Sequence, residues 1–143
     1  MLRRFAAASA SALLCLVGTA GVAEARTESL YTPSSVVLSI SKGTDASSAT
    51  VLRAVTLSCA PTADGTHPAP EAACAELKAG SQDGAFEGLL ALPAPDRMCP
   101  QHFDPVTVTV DGVWEGARTS WQYTFGNACV MSVSLNEGAA FAF

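Results

Sequence analysis

Four cysteines set the terms on which this chain can fold. Cys59, Cys74, Cys99 and Cys129 follow a leader that holds the fifth, Cys15. The leader reads as an export signal. Arg3 and Arg4 precede a largely apolar run from Phe5 to Val17, and Ala23-Glu24-Ala25 has the form of a cleavage site. That run falls short of the roughly 20 residues a membrane span needs. The expectation is a removed signal peptide over residues 1–25 and a secreted domain over 26–143, with no membrane association after cleavage. An even number of cysteines in an exported domain of this size reads as two disulfides, with three pairings open. A zinc site would call for Cys-x-x-Cys spacing, which is absent. No metal and no cofactor is expected.

The charge balance narrows the partners. Eight Lys and Arg face 13 Asp and Glu, a net charge of −5 that becomes −6 when Arg3, Arg4 and Glu24 depart with the leader. An acidic domain lacks the basic face that a phosphate backbone requires, so nucleic acid is excluded. Apolar residues make up 49% of the chain and charged residues 15%, which implies a packed core under a surface of small polar groups. Catalysis finds little footing. Neither histidine, His67 or His102, lies in a zinc-protease pattern, and no Gly-x-Ser-x-Gly occurs. His67, set between Thr66 and Pro68 in a proline loop, is expected at the surface. The chain is not read as an enzyme.

Periodicity supplies the elements. Val36, Val37, Leu38 and Ile40 form a β-rich run closed by Ser41-Lys42-Gly43, and Arg53 to Ala60 alternates as a half-buried strand. Pro61 to Pro70 reads as a connection. Glu71 to Lys78 reads as a helix that Gly80 can stop, and Ala85 to Leu92 as a second, shorter one. Val106, Val108 and Val110 alternate with polar residues, as do Ala117, Thr119, Trp121, Tyr123 and Phe125. The turn between these two strands is placed at Glu115-Gly116 rather than Asp111-Gly112, because that choice keeps Trp114 in phase with the valines. Cys129 to Leu135 is expected as a last strand and Ala139 to Phe143 as an apolar end. The sum is an α+β domain, an antiparallel sheet with short helices on one face.

The segment Arg97-Met98-Cys99-Pro100-Gln101-His102-Phe103-Asp104-Pro105 stands apart. Its two prolines bias Cys99 and Asp104 toward extended geometry. Met98, Gln101, His102 and Phe103 are bulky where a connector is usually small. Such a segment reads either as a tightly tethered crossover loop or as a rigid, extended strand presented to a protease cleft.

On these residues the chain resembles the Streptomyces subtilisin inhibitor family of secreted serine-protease inhibitors. The resemblance runs from Ser29-Leu30-Tyr31-Thr32-Pro33-Ser34 through Arg53-Ala54-Val55-Thr56-Leu57-Ser58-Cys59-Ala60-Pro61 and Gly65-Thr66-His67-Pro68-Ala69-Pro70. It continues through Ala73-Cys74-Ala75, Met98-Cys99-Pro100, Asp104-Pro105-Val106, Val110-Asp111-Gly112-Val113-Trp114, Cys129 and Phe141-Ala142-Phe143. The resemblance implies a five-stranded antiparallel sheet with two short helices, the disulfides Cys59–Cys74 and Cys99–Cys129, and a homodimer formed through the sheets. Those disulfides would close loops of about 15 and 30 residues, each contributing roughly 3 to 4 kcal/mol on the chain-entropy model.

It also implies standard-mechanism inhibition of a subtilisin-like serine protease, with the scissile bond at Gln101–His102. Met98 would fill an apolar pocket, Cys99 would anchor the loop, Pro100 would lock the residue before the specificity residue, and Phe103 would contact the protease. Gln101 departs from the Met or Lys common at this position in the family. Its neutral amide suits the broad pocket of a subtilisin better than a trypsin-type pocket floored by a carboxylate. The rival reading is a non-inhibitory extracellular binding protein on the same fold. In one variant Gln101 serves as a transglutaminase glutamine donor, with Lys42 or Lys78 as amine sites.

Overall fold

The computed structural model describes residues 32–90 and 97–143. The expected signal peptide lies outside the described residues. The chain runs β1 (Ser34–Lys42), β2 (Thr50–Ala60), β3 (Asp64–Gly65), α1 (Pro70–Gly80), a 3-10 turn at Glu87–Leu89, β4 (Val106–Trp114), β5 (Ala117–Phe125), α2 (Ala128–Ser134) and a second 3-10 turn at Ala139–Phe141. The strands form one antiparallel sheet in the order β3-β2-β1-β4-β5. Alternation decides which face is buried. Val36, Leu38 and Ile40 of β1 lie beside Val106, Val108 and Val110 of β4, and all pack under Ala73, Leu77, Phe86 and Leu135.

The β4–β5 hairpin turns at Glu115 (φ 49) and Gly116 (φ 83), two successive left-handed residues as a type I′ turn requires. Trp114 is buried in phase with the valines, as the alternation predicts. Asp111-Gly112 lies inside β4, where Gly112 (φ 149) lets β1 pass so close that a Cβ would stand 2.4 Å from the Ser35 carbonyl oxygen. Both disulfides form as the resemblance implies, Cys59–Cys74 and Cys99–Cys129.

Four sequence expectations are corrected. Residues Cys129 to Leu135 are not a strand, because α2 occupies Ala128–Ser134. Its Asn127 cap accepts the Val130 N–H, and Val130 and Met131 pack partly buried against the core. A short apolar run does not distinguish strand from helix by period alone, and the cap decides this one. The fifth strand is instead β3, two residues inside the proline-rich connection that pair with Leu57 and Ser58. The helix expected over Ala85–Leu92 is a single 3-10 turn at Glu87–Leu89, its remaining positions in part outside the described residues. His67 is buried rather than exposed, with 4% of its surface accessible. Its Nδ1 accepts the Ala69 N–H at 3.0 Å, so Nε2 carries the hydrogen donated to the Ala140 carbonyl at 3.2 Å, and the ring meets Phe143 edge-on.

Candidate functional site

The segment 97–105 crosses from the helical layer to β4 with no strand or helix of its own over 97–104. A stretch this extended lacks ladder bonds and would be mobile unless other groups held it. Here they do, on both sides of Gln101. Upstream, Cys99 is bonded to Cys129 in the first turn of α2, with their Cα atoms 5.7 Å apart. Downstream, the Asp104 N–H donates to the Gly126 carbonyl at 2.9 Å and the Pro105 carbonyl accepts the Gly43 N–H at 2.9 Å.

Between these anchors sits Asn127, 4% exposed. Its Nδ2 donates to the Pro100 carbonyl at 2.9 Å and to the His102 carbonyl at 3.1 Å. Its Oδ1 accepts the Val130 N–H at 3.0 Å as the helix cap. The amide has two hydrogens, and each goes to one of the carbonyls flanking Gln101. The backbone on either side of the Gln101–His102 bond is therefore fixed from beneath by one rigid side chain. That side chain is in turn fixed by the helix it caps.

Above this support the loop side chains face solvent. Met98 is 92% exposed and Phe103 75%. Pro100, Gln101 and His102 are exposed and Cys99 is half-buried. The Gln101 amide makes only a 3.5 Å approach to the Cys99 carbonyl. Two ion pairs border the loop, Lys42 with Asp104 (3.0 Å) and Arg97 with Glu137. The hydrogen bond from the Arg97 guanidinium, reinforced by its charge, holds the Glu137 carboxyl below the usual carboxylate range. Among the described residues, no group of three or more His, Cys, Asp or Glu side chains is arranged to hold a metal ion.

All six residues expected to form the site, Met98 to Phe103, thus lie on one tethered, extended segment whose side chains other than Cys99 face solvent. Sequence reasoning missed Asn127. The signal that could have found it is an Asn directly before a short apolar run, the mark of a helix cap once that run is read as helical. What the arrangement does is present a backbone rather than enclose a substrate.

Comparison with known proteins points the same way. A family model described as subtilisin inhibitor-like matches residues 32–127. Subtilisin inhibitor-like protein 15 of Streptomyces bikiniensis is 74% identical over 113 residues, covering 79% of this chain and 100% of that protein. The subtilisin inhibitor of Streptomyces violaceus is 46% identical over 145 aligned positions, covering 99% of this chain and 97% of that protein. Among solved structures, Streptomyces caespitosus sermetstatin in complex with Bacillus licheniformis subtilisin matches with a TM-score of 0.72 and 54% identity. The match spans 78% of this chain and 99% of that one.

Proposed function

The chain belongs to the subtilisin inhibitor-like family, and from that membership we propose that it inhibits subtilisin-like serine proteases by the standard mechanism, with Gln101–His102 as the scissile bond. Its role is that of an inhibitor and not of an enzyme. The loop docks as a substrate would. The protease serine adds to the Gln101 carbonyl, the bond to the His102 nitrogen breaks, and that nitrogen takes up a proton as an amine. Because both new ends stay tethered, the amine attacks the acyl-enzyme, expels the serine and restores the peptide bond faster than the ends can part.

The observation that carries this reading is the Asn127 amide, with one hydrogen on each side of Gln101. A loop held in its bound shape loses little entropy on docking, so more of its contact energy appears as affinity. Its extended backbone is free to pair with the edge of a protease cleft. Met98 and Phe103 supply apolar contacts at either end, and Pro100 stiffens the approach to Gln101. The neutral Gln101 favours a subtilisin over a trypsin-type enzyme. Relatives named as inhibitors and a solved neighbour bound to subtilisin favour this reading over the scaffold or glutamine-donor one.

Two accompanying assignments complete the proposal. The leader and the disulfides support export with cleavage after Ala25. Among the described residues no helix is long and apolar enough to cross a membrane. The homodimer forms through the outward face of the sheet, where Ser35, Val37, Ser120 and Gln122 are exposed.

The test is a titration of subtilisin activity with the purified secreted protein, followed by mass spectrometry of the mixture. Stoichiometric inhibition with partial nicking between Gln101 and His102 is the expected result. Rapid, complete cleavage or absence of binding would defeat it.

A further inference from the structure

The two ion pairs formed between described residues both sit on the arms of the reactive loop, in a chain with only 15% charged residues. Lys42 ends β1, and its Nζ reaches both carboxylate oxygens of Asp104, at 3.0 and 3.2 Å, two residues downstream of His102. Glu137 receives Arg97, the residue before Met98. Glu137 stands on a firm base, because Asn136 (φ 53) and Glu137 (φ 52) form a left-handed pair and the Glu137 N–H donates to the Ser132 carbonyl at 2.9 Å. The disulfide and Asn127 fix positions 99, 100 and 102. The ion pairs hold the side chains of Arg97 and Asp104, further out along the two arms.

We propose that Lys42 and Glu137 are positioning residues for inhibition, each holding one arm of the reactive loop by charge so that the ends created by cleavage stay aligned for religation. The proposal rests on the reading of Gln101–His102 as the scissile bond. Cleavage there leaves two pieces joined covalently only by Cys99–Cys129, since Cys59–Cys74 lies within the first piece. The His102 amine hangs from β4 through residues 103–105, and Lys42 acts on that stretch through Asp104. Glu137 acts through Arg97 on the arm that carries Met98. Exposed ion pairs contribute little to global stability, so their effect belongs to the geometry of the loop and not to unfolding. Exposed charges are also screened, with a Debye length of about 10 Å at 0.1 M salt and about 3 Å at 1 M. The latch therefore loosens in salt.

The experiment follows the ratio of cleaved to intact inhibitor at equilibrium with a catalytic amount of subtilisin, read by mass spectrometry at low salt and at about 1 M salt. Lys42→Met and Glu137→Gln should each raise that ratio about two- to fivefold at low salt, with thermal midpoints unchanged. Lys42→Arg should restore the wild-type ratio. High salt should move the wild type toward the variants and leave the double variant unmoved. Variants that match the wild type at low salt, a double variant that keeps the salt response, or an effect that appears only with a lowered thermal midpoint would each overturn the latch alone. A wild type neither inhibiting nor nicked at Gln101–His102 would overturn the scissile-bond reading and the latch with it.

Discussion

Asn127 joins two functions in one side chain, capping α2 with its oxygen and bracing the loop with its nitrogen. Asn127→Asp separates them, because a carboxylate caps a helix as well as an amide does but offers no hydrogen to Pro100 and His102. Two lost bonds at about 0.5 to 1.5 kcal/mol each predict cleavage at Gln101–His102 accelerated roughly five- to a hundredfold, measured as nicking by subtilisin, with the helix retained in circular dichroism. Gln101→Met removes the cost of desolvating an amide in the primary pocket. It should tighten subtilisin inhibition by about tenfold or more in a competition assay. A pH effect is expected at Glu137. The hydrogen bond from Arg97, reinforced by its charge, holds the carboxyl below its ordinary value. A depressed folded-state pKa means the pairing is fully present above the unfolded value and is lost as pH falls through the folded one. Nicking of the wild type should therefore rise as pH drops below about 4.5, and Glu137→Gln should flatten that added rise.

At the scale of elements, β4 and β5 were legible in the sequence because each alternates apolar with polar residues and turns its apolar side chains to the core. Val108 and Val110 lie opposite Tyr123 and Trp121. The candidate loop was legible for a different reason: proline and cysteine constrain backbone wherever they occur, and Cys99 and Pro100 lie within Met98 to Phe103 with Pro105 just beyond. What escaped was decided by tertiary contact. β3 exists only because Asp64 and Gly65 happen to pass Ser58 and Leu57, and two residues carry no period. The burial of His67 depends on Ala140, 73 residues away. The cap of α2 hid in the same way, since an apolar run of seven fits strand or helix equally. Two predictions belong here. Gly112→Ala forces a Cβ against the Ser35 carbonyl at a positive φ and should cost about 2 to 3 kcal/mol in a urea unfolding curve. Replacing Cys99 and Cys129 together by serine releases a loop of about 30 residues. It should cost roughly 3 to 4 kcal/mol of stability and turn the inhibitor into a substrate whose cleaved ends part.

The whole molecule has two unlike faces, and the proposed dimer rests on the difference. One face of the sheet is covered by α1, α2 and the two 3-10 turns. By strand register the other face carries Ser35, Val37 and Ser39 from β1, flanked by Thr109 of β4 and by Ser120, Gln122 and Thr124 of β5, while Ser41 and Thr107 are buried at one end. Its charges on the four long strands are Asp111, already bonded to Ser120 at 2.7 Å, and Arg118, with Asp64 of β3 at one edge. Four strands about 4.8 Å apart and about 30 Å long make a patch of about 600 Å² in plan, close to what a stable dimer uses per partner. In a two-fold interface each residue meets its own copy or a neighbour of it. Val37, 43% exposed on the central strand and opposite Asp111, is the position where a charge does most harm. Val37→Asp should place like charges together on both copies and shift the protein from dimer to monomer in sedimentation. Inhibition per chain should be unchanged, because residues 97–105 take no part in that face. Joint loss of dimer and inhibition would mean that the sheet face holds the loop in shape as well. A wild type already monomeric would remove the dimer while leaving every argument about the loop in place.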